Sequence, residues 1–209
     1  GECNFSDHGA NRLGASALMQ GLSDGYFVIP YTMQNYLSDQ IQVPHIDTNA
    51  PEFEEAEKGV QAEIDRIYNI KGDESVDHIH KKLYHIMWDY VGMARNEKGL
   101  KKALAMLKDI RKEFNEHVRI PGDKEGLNTE LDKAIHLRDF ITMGELIAYD
   151  ALERNESCGG HFREESQTEE GEAKRDDEHY MYVACWQYQG SDDVAPTLLK
   201  EPLNYQYIK

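Results

Sequence analysis

The sequence has no run of about 18 apolar residues, so no segment reads as a membrane-spanning helix. Basic side chains are scarce: 23 Lys and Arg stand against 39 Asp and Glu, a formal net charge of -16. That balance argues against a nucleic-acid binder, which needs a basic surface to displace phosphate counterions, and against direct docking on anionic lipid. Cysteine is sparse too. Cys3, Cys158 and Cys185 are far apart, form no C-x-x-C, and read as reduced thiols of a cytosol-like compartment. Gly1-Glu2-Cys3-Asn4 lacks the basic start and apolar stretch of a secretory leader, so Asn4-Phe5-Ser6 and Asn155-Glu156-Ser157 are read as chance glycosylation triplets. No metal site is predicted. His78, His80 and His85 share one predicted helix, but Lys82 and Lys81 occupy the positions where His78 and His85 would need a second histidine. The acidic stretch 164–178 has no Asp-x-Asp-x-Asp-Gly loop for calcium. No Ser-His-Asp or Cys-His set can be argued from spacing, and no G-x-G-x-x-G occurs.

What is present divides the chain into residues 1–45, 46–157 and 158–209. The first region is rich in Gly and aromatics and poor in charge. A helix is predicted from Ala15-Ser16 through Leu22, and Pro30 is expected to kink or break whatever helix follows. The second region is charged and helical in pattern. Pro51 and the glutamates after it open one helix, with Val60, Ile64 and Ile67 on one face. A second starts at Ser75 with Ile79, Leu83 and Met87; a third carries Leu100, Leu107, Ile110 and Phe114; a fourth runs over about 127–154. Such amphipathic helices bury their stripes by packing antiparallel, so a three-helix bundle of the spectrin-repeat kind with a preceding helix is expected. Trp88 and Tyr84 are placed in its core and rim. The third region is an acidic loop followed by Tyr180, Tyr182, Ala184 and Trp186, whose alternation predicts a strand; a second is expected near Tyr205 to Ile208. The fold class is thus mainly α with a short β-containing tail.

The opening segment carries the most chemistry. Ser6-Asp7-His8-Gly9-Ala10-Asn11-Arg12-Leu13-Gly14 is a Gly-rich loop feeding a helix whose first turn, Ala15-Ser16-Ala17-Leu18, is made mostly of small residues. Small residues allow close backbone approach to a ligand, and the positive end of the helix favours a partner that is or becomes negative. Arg12 adds a planar fork for a carboxylate or phosphate. Glu2 offers two acceptors suited to a ribose diol. By pattern alone, the plainer reading of a Gly-rich turn with a structural arginine is favoured.

Glu2 with His8-Gly9-Ala10-Asn11-Arg12-Leu13-Gly14 resembles the late FAD-contacting segment of the flavoprotein subunit of succinate dehydrogenase and fumarate reductase. Arg154-Asn155-Glu156-Ser157-Cys158-Gly159-Gly160-His161-Phe162-Arg163, then Arg175-Asp176-Asp177 and Trp186, is similar to that family's C-terminal signature. Trp88, Gly92 and Arg95 fit its helical domain. The order is the family's, and the resemblance covers nearly the whole chain. One departure is Cys158, where the family's block has arginine.

The resemblance implies that residues 1–45 are the end of an FAD-binding domain, with Gly1 inside it, that 46–157 are the helical bundle domain and that 158–209 are the tail. It further implies interconversion of succinate and fumarate by hydride transfer with FAD, the electrons passing to an iron–sulfur subunit and to quinone through a membrane cytochrome b anchor, on the cytoplasmic face of the inner membrane. Arg12 would grip the dicarboxylate, Glu2 the FAD ribose, and the backbone at Ala17 and Leu18 would face the flavin; His8 would be a structural hydrogen-bonder. This stretch alone would be soluble and inactive, with FAD absent, because the dinucleotide fingerprint, the histidine that can carry covalent FAD and the remaining substrate residues have no counterpart in it. L-aspartate oxidase, of the same fold, and a non-catalytic helical docking domain are the alternatives. His161, Arg163 and Arg175 are expected to pair with acidic neighbours as domain-docking contacts.

Overall fold

A computed structural model describes residues 14–124 and 126–204. The chain divides into two compact units that part between Lys58 and Gly59. In the first, α1 (Ser16–Ser23) leads through a π-helical turn at Asp24–Val28 into α2 (Ile29–Tyr36). The helical path is therefore not broken at Pro30, which takes a place in the first turn of α2. The wide π turn just before it explains the tolerance: proline has no N–H to give and its ring strikes a regular i−4 carbonyl, so it is accepted where the ladder has already opened. Leu18, Met19, Tyr26, Phe27, Tyr31 and Tyr36 are all exposed on these helices.

The helix α3 (Pro51–Asn69) crosses the division between the units, with Pro51 at its start and Glu52 and Glu54 in its first turn. In the second unit β1 (Glu74–Ser75) precedes α4 (Val76–Val91), and α5 (Glu97–His117) precedes β2 (Val118–Arg119) and α6 (Thr129–Glu153). Each bundle helix starts at a side-chain cap. Ser75 accepts from the His78 N–H at 3.2 Å, Asn96 from the Gly99 N–H at 2.7 Å, and Asn128 from the N–H groups of Glu130 and Leu131 at 3.1 Å.

The predicted stripes form the core: Ile79, Leu83 and Ile86 of α4, Leu100, Leu107 and Phe114 of α5, and Leu137, Ile141 and Ala148 of α6 are buried together. Burial of each large apolar side chain contributes about 1.5–3 kcal/mol. The strands β1 and β2 pair in parallel, Glu74 opposite Val118, which puts the start of α4 beside the end of α5 and makes these helices antiparallel. The arrangement is the expected three-helix bundle. Tyr84 and Trp88 are not in its core or rim. They sit one turn apart on the outer face of α4, stacked at 5.9 Å, with Trp88 70% exposed, because Leu83, Ile86 and Val91 occupy the inner face.

The tail runs from the end of α6 through an irregular acidic loop to α7 (Asp177–Tyr180), β3 (Tyr182–Gln187) and β4 (Thr197–Pro202). The strand predicted from Tyr180 begins two residues later. Asp176 accepts from the His179 N–H at 3.3 Å and caps a single helical turn that holds Tyr180. Its antiparallel partner is β4, with Tyr182 opposite Pro202 and Gln187 opposite Thr197. The strand expected at Tyr205 to Ile208 lies outside the described residues.

Candidate functional site

Glu2, His8 and Arg12, the polar residues of the predicted ligand loop, lie outside the described residues. What is described is the helix that follows them. Ala15 takes a left-handed conformation, φ 63°, at the entrance to α1, and as the N-cap residue it gives the helix no side-chain hydrogen bond of its own. A non-glycine residue in that region costs about 1–2 kcal/mol, so the turn is held by its surroundings. Ala17 is buried, whereas Leu18 is 69% exposed.

The second cluster lies where α4 and α6 end and the tail begins. Arg95, just past α4, donates from Nε to the carbonyls of Val91 and Gly92 at 3.1 and 3.0 Å, satisfying the open end of that helix. Arg163, 2% exposed, donates from Nη1 to the carbonyls of Ala151 and Leu152 at 2.8 and 3.2 Å and so does the same for α6; its Nε reaches Glu165 at 3.1 Å. The two loops are stitched together by main chain: the Arg95 N–H donates to Phe162 and the Glu164 N–H to Arg95, at 3.1 and 2.8 Å. Glu156, buried, accepts from Arg154 and from the Asp176 N–H, both at 2.9 Å.

Arg163 and Arg175 pair with Glu165 and Asp177 as the sequence predicts. His161 does not pair with an acid. Its Nε2 lies 2.7 Å from the Arg154 carbonyl and its Nδ1 lies 2.8 Å from Arg95 Nη1. A carbonyl only accepts and a guanidinium only donates, so the ring is neutral, with its proton on Nε2. Cys158 closes the turn to His161 through two main-chain hydrogen bonds, and burial, reinforced by Glu156, pushes its thiol pKa up. The thiol is therefore held protonated.

His161 gives the first prediction. Burial holds its pKa below the ordinary 6.5, opposed by the Arg154 carbonyl and supported by the charges of Arg95, Arg163 and Arg154. A folded-state pKa below the unfolded one means that stability is fully present above about pH 6.5 and is lost as pH falls through the folded value, by at most about 1.4 kcal/mol per pH unit. His179 works with the opposite sign, since hydrogen bonding to Asp176 raises its pKa. The measurement is therefore the difference between wild type and His161→Gln in urea unfolding from pH 7.5 to 5. Wild type should lose more stability than the variant on acidification; parallel curves would show that the ring is not locked.

Sequence reading missed a third set of charges. Arg111 of α5 is buried against Glu145 of α6, with Nη2 to Oε2 at 2.6 Å. Nearby, Glu63 of α3 accepts from both Arg66 and Arg138, and its pKa is lowered to about 2, chiefly by the Arg66 hydrogen bond working against burial. The signal for Arg111 was its position, one turn past Leu107 and beside Ile110 in the apolar stripe.

The model of a family described as the fumarate reductase flavoprotein C-terminal region matches residues 80–209. An uncharacterized FAD-dependent oxidoreductase of Methanocaldococcus jannaschii is 31% identical over 173 residues, 79% of this chain and 28% of that protein. The fumarate reductase flavoprotein subunit of Haemophilus influenzae is 26% identical over 183 residues, 87% of this chain and 28% of that protein. An L-aspartate oxidase of Yersinia pestis is 26% identical over 78% of this chain. A solved quinol–fumarate reductase with menaquinol shares the fold, with a TM-score of 0.77 and 23% identity over 97% of this chain and 33% of its own. The chain thus spans little more than a quarter of the curated relatives it matches.

Proposed function

The chain belongs to the fumarate reductase flavoprotein C-terminal family, and from that premise we propose that it is the C-terminal part of the FAD-dependent flavoprotein subunit of a succinate dehydrogenase or fumarate reductase. The observation that carries the reading is the family match over 80–209, which contains both helix-end arginines and the His161 turn. When bound, FAD supplies the hydride acceptor and donor for succinate and fumarate. The backbone of Ala17 and Leu18 would lie at its ring and Glu2 at its ribose, while the positive end of α1 favours the extra negative charge of the reduced ring. Arg12 grips and orients a substrate carboxylate. Residues 1–45 belong to the FAD-binding domain in this reading, and the exposed aromatic surface of α1 and α2 is where the remainder of that domain packs. The bundle and tail form the docking part. The iron–sulfur subunit and the membrane cytochrome b anchor receive the electrons, and this stretch by itself turns over no substrate.

Arg12→Ala in the intact flavoprotein is the test. A charge-assisted hydrogen bond contributes about 1.5–3 kcal/mol, so kcat/KM for fumarate should fall by about 10- to 150-fold with the flavin spectrum and the assembled complex retained. Unchanged kinetics would sink the substrate role; loss of the complex with substrate affinity intact would point to docking instead. The L-aspartate oxidase match supports a second reading, in which the intact protein oxidises aspartate without an iron–sulfur subunit. Turnover with succinate against aspartate separates the two.

A further inference from the structure

Arg111 is faced by more carboxylate than one guanidinium requires. Only 7% exposed, it donates from Nη2 to Glu145 at 2.6 Å and to Thr142 Oγ1 at 3.3 Å, and from Nη1 to Asp192 at 3.0 Å. Glu145 is buried on the neighbouring helix and neutralises the guanidinium by itself. Asp192 comes from the loop between β3 and β4, and its side chain is 49% exposed. The other hydrogen bonds of that loop, among the described residues, are local: Asp193 and Val194 N–H to Ser191, and Gln189 to Gln187. A half-exposed ion pair contributes little, so Asp192 holds its place weakly and another anion can take it.

Against the same ion pair lies an apolar cavity of about 170 Å³, walled by Leu146, Tyr149, Trp186, Tyr188, Val194 and Pro196. An apolar cavity of about 150 Å³ holds benzene, so this one has room for a single aromatic ring. The cleft on the other side of Arg111, about 280 Å³, contains Arg66 and Arg138, but Glu63 already takes both of those guanidinium groups. The anion position open to exchange is therefore the one Asp192 fills.

We propose that Asp192 is an internal stand-in for the carboxylate of a small aryl monocarboxylate, which binds with its carboxylate on Arg111 Nη1 and its ring among Tyr149, Trp186 and Tyr188. One carboxylate replaces another, so the charge at the site is unchanged and no bond is made or broken. The proposal is independent of the redox reading and of Arg12.

Phenylacetate titrated into the full chain is the probe, followed through the two tryptophan indole N–H resonances. Trp186 lines the cavity, and Trp88, on the outer face of α4, is the internal reference. Asp192→Asn removes the competing charge with little change of shape, and Asp192→Ser repeats the test without an amide that could itself accept from Arg111. If the internal carboxylate is the competitor, phenylacetate shifts Trp186 and not Trp88, and its Kd is about five- to tenfold lower in both variants than in wild type. Phenylacetamide, which has the ring without the charge, gains nothing from either substitution. Equal phenylacetate affinity in wild type and both variants, an equal gain for phenylacetamide, or no Trp186 shift at millimolar phenylacetate in the variants would overturn the proposal.

Discussion

Arg163→Met is expected to lower the stability of the chain by about 3–4 kcal/mol, within the range for removing one partner of a buried, hydrogen-bonded charge. The guanidinium is 2% exposed and gives two hydrogen bonds to the last carbonyls of α6, one of them on the buried Ala151. Methionine keeps the apolar stem and gives none, so the α6 carbonyls lose donors in a place water does not reach; an unsatisfied buried polar group alone costs about 1–3 kcal/mol. Glu165 is a smaller part of the loss, because it is partly exposed and regains water. The Arg163 N–H also donates to Ser157 Oγ at 2.8 Å, and that hydroxyl donates to the Arg163 carbonyl at 3.2 Å, so the turn around Cys158 is anchored through the same residue. Lysine at 163 keeps the charge but lacks the fork, and should recover less than half of the loss. Urea unfolding at pH 7.5 measures both variants. A loss under about 1 kcal/mol for methionine would mean that the α6 carbonyls find other donors and that the tail is not hung on this residue.

The bundle was legible in the sequence because its stripes repeat near 3.6 residues and one of its helices starts at Ser75, whereas the caps Asn96 and Asn128 were found only in the structure. The tail was legible only in part. Tyr180 looked like strand because aromatic density outweighed the cap at Asp176, and β4 was not read at 197–202 because Thr197-Leu198-Leu199 is a weak alternating signal that ends at a proline. Trp88 was misplaced for a related reason: a large aromatic residue reads as core until the neighbouring Leu83, Ile86 and Val91 are seen to claim the inner face. Within the candidate site, the resemblance of the Arg154 to Arg163 block to a family signature showed that it mattered but not what each residue would touch. His161 looked like an ion-pair partner, and only the placement of a guanidinium and a carbonyl on opposite sides of its ring makes it neutral. Arg111 and Glu145 interrupt apolar stripes one turn from Leu107 and Ile141, a pattern open to sequence reading because buried charges occur in pairs. Asp192 carried no such mark, since its meeting with Arg111 depends on a hairpin whose second strand was not foreseen.

The largest stability effect is expected at a position without a side chain. A Cβ on Gly72 would stand 2.0 Å from the His117 carbonyl oxygen, 2.1 Å from its carbon and 2.4 Å from its Cα. All three are main-chain atoms at the end of α5, so no rotamer change can make room. The conflict is one of space, set by the close pass of the segment before α4 under the turn after α5. The Gly72 N–H donates to the Val118 carbonyl at 3.1 Å, and two residues later Glu74 pairs with Val118 in the parallel strands. Moving Gly72 away would break these bonds and uncover Val118 and Val76, both fully buried. Gly72→Ala should therefore cost about 4 kcal/mol or more, in the range reserved for overpacking against an unyielding neighbour. Gly92→Ala is the graded control. There the added carbon comes under 3 Å of a single atom, the Trp88 carbonyl oxygen at 2.7 Å, and the cost should be smaller, about 1–3 kcal/mol. Thermal and urea unfolding of the two variants side by side should rank them in that order. If Gly72→Ala unfolds like wild type, the end of α5 does not rest on the Gly72 backbone, and the parallel pairing that orients α4 against α5 must be held by other contacts.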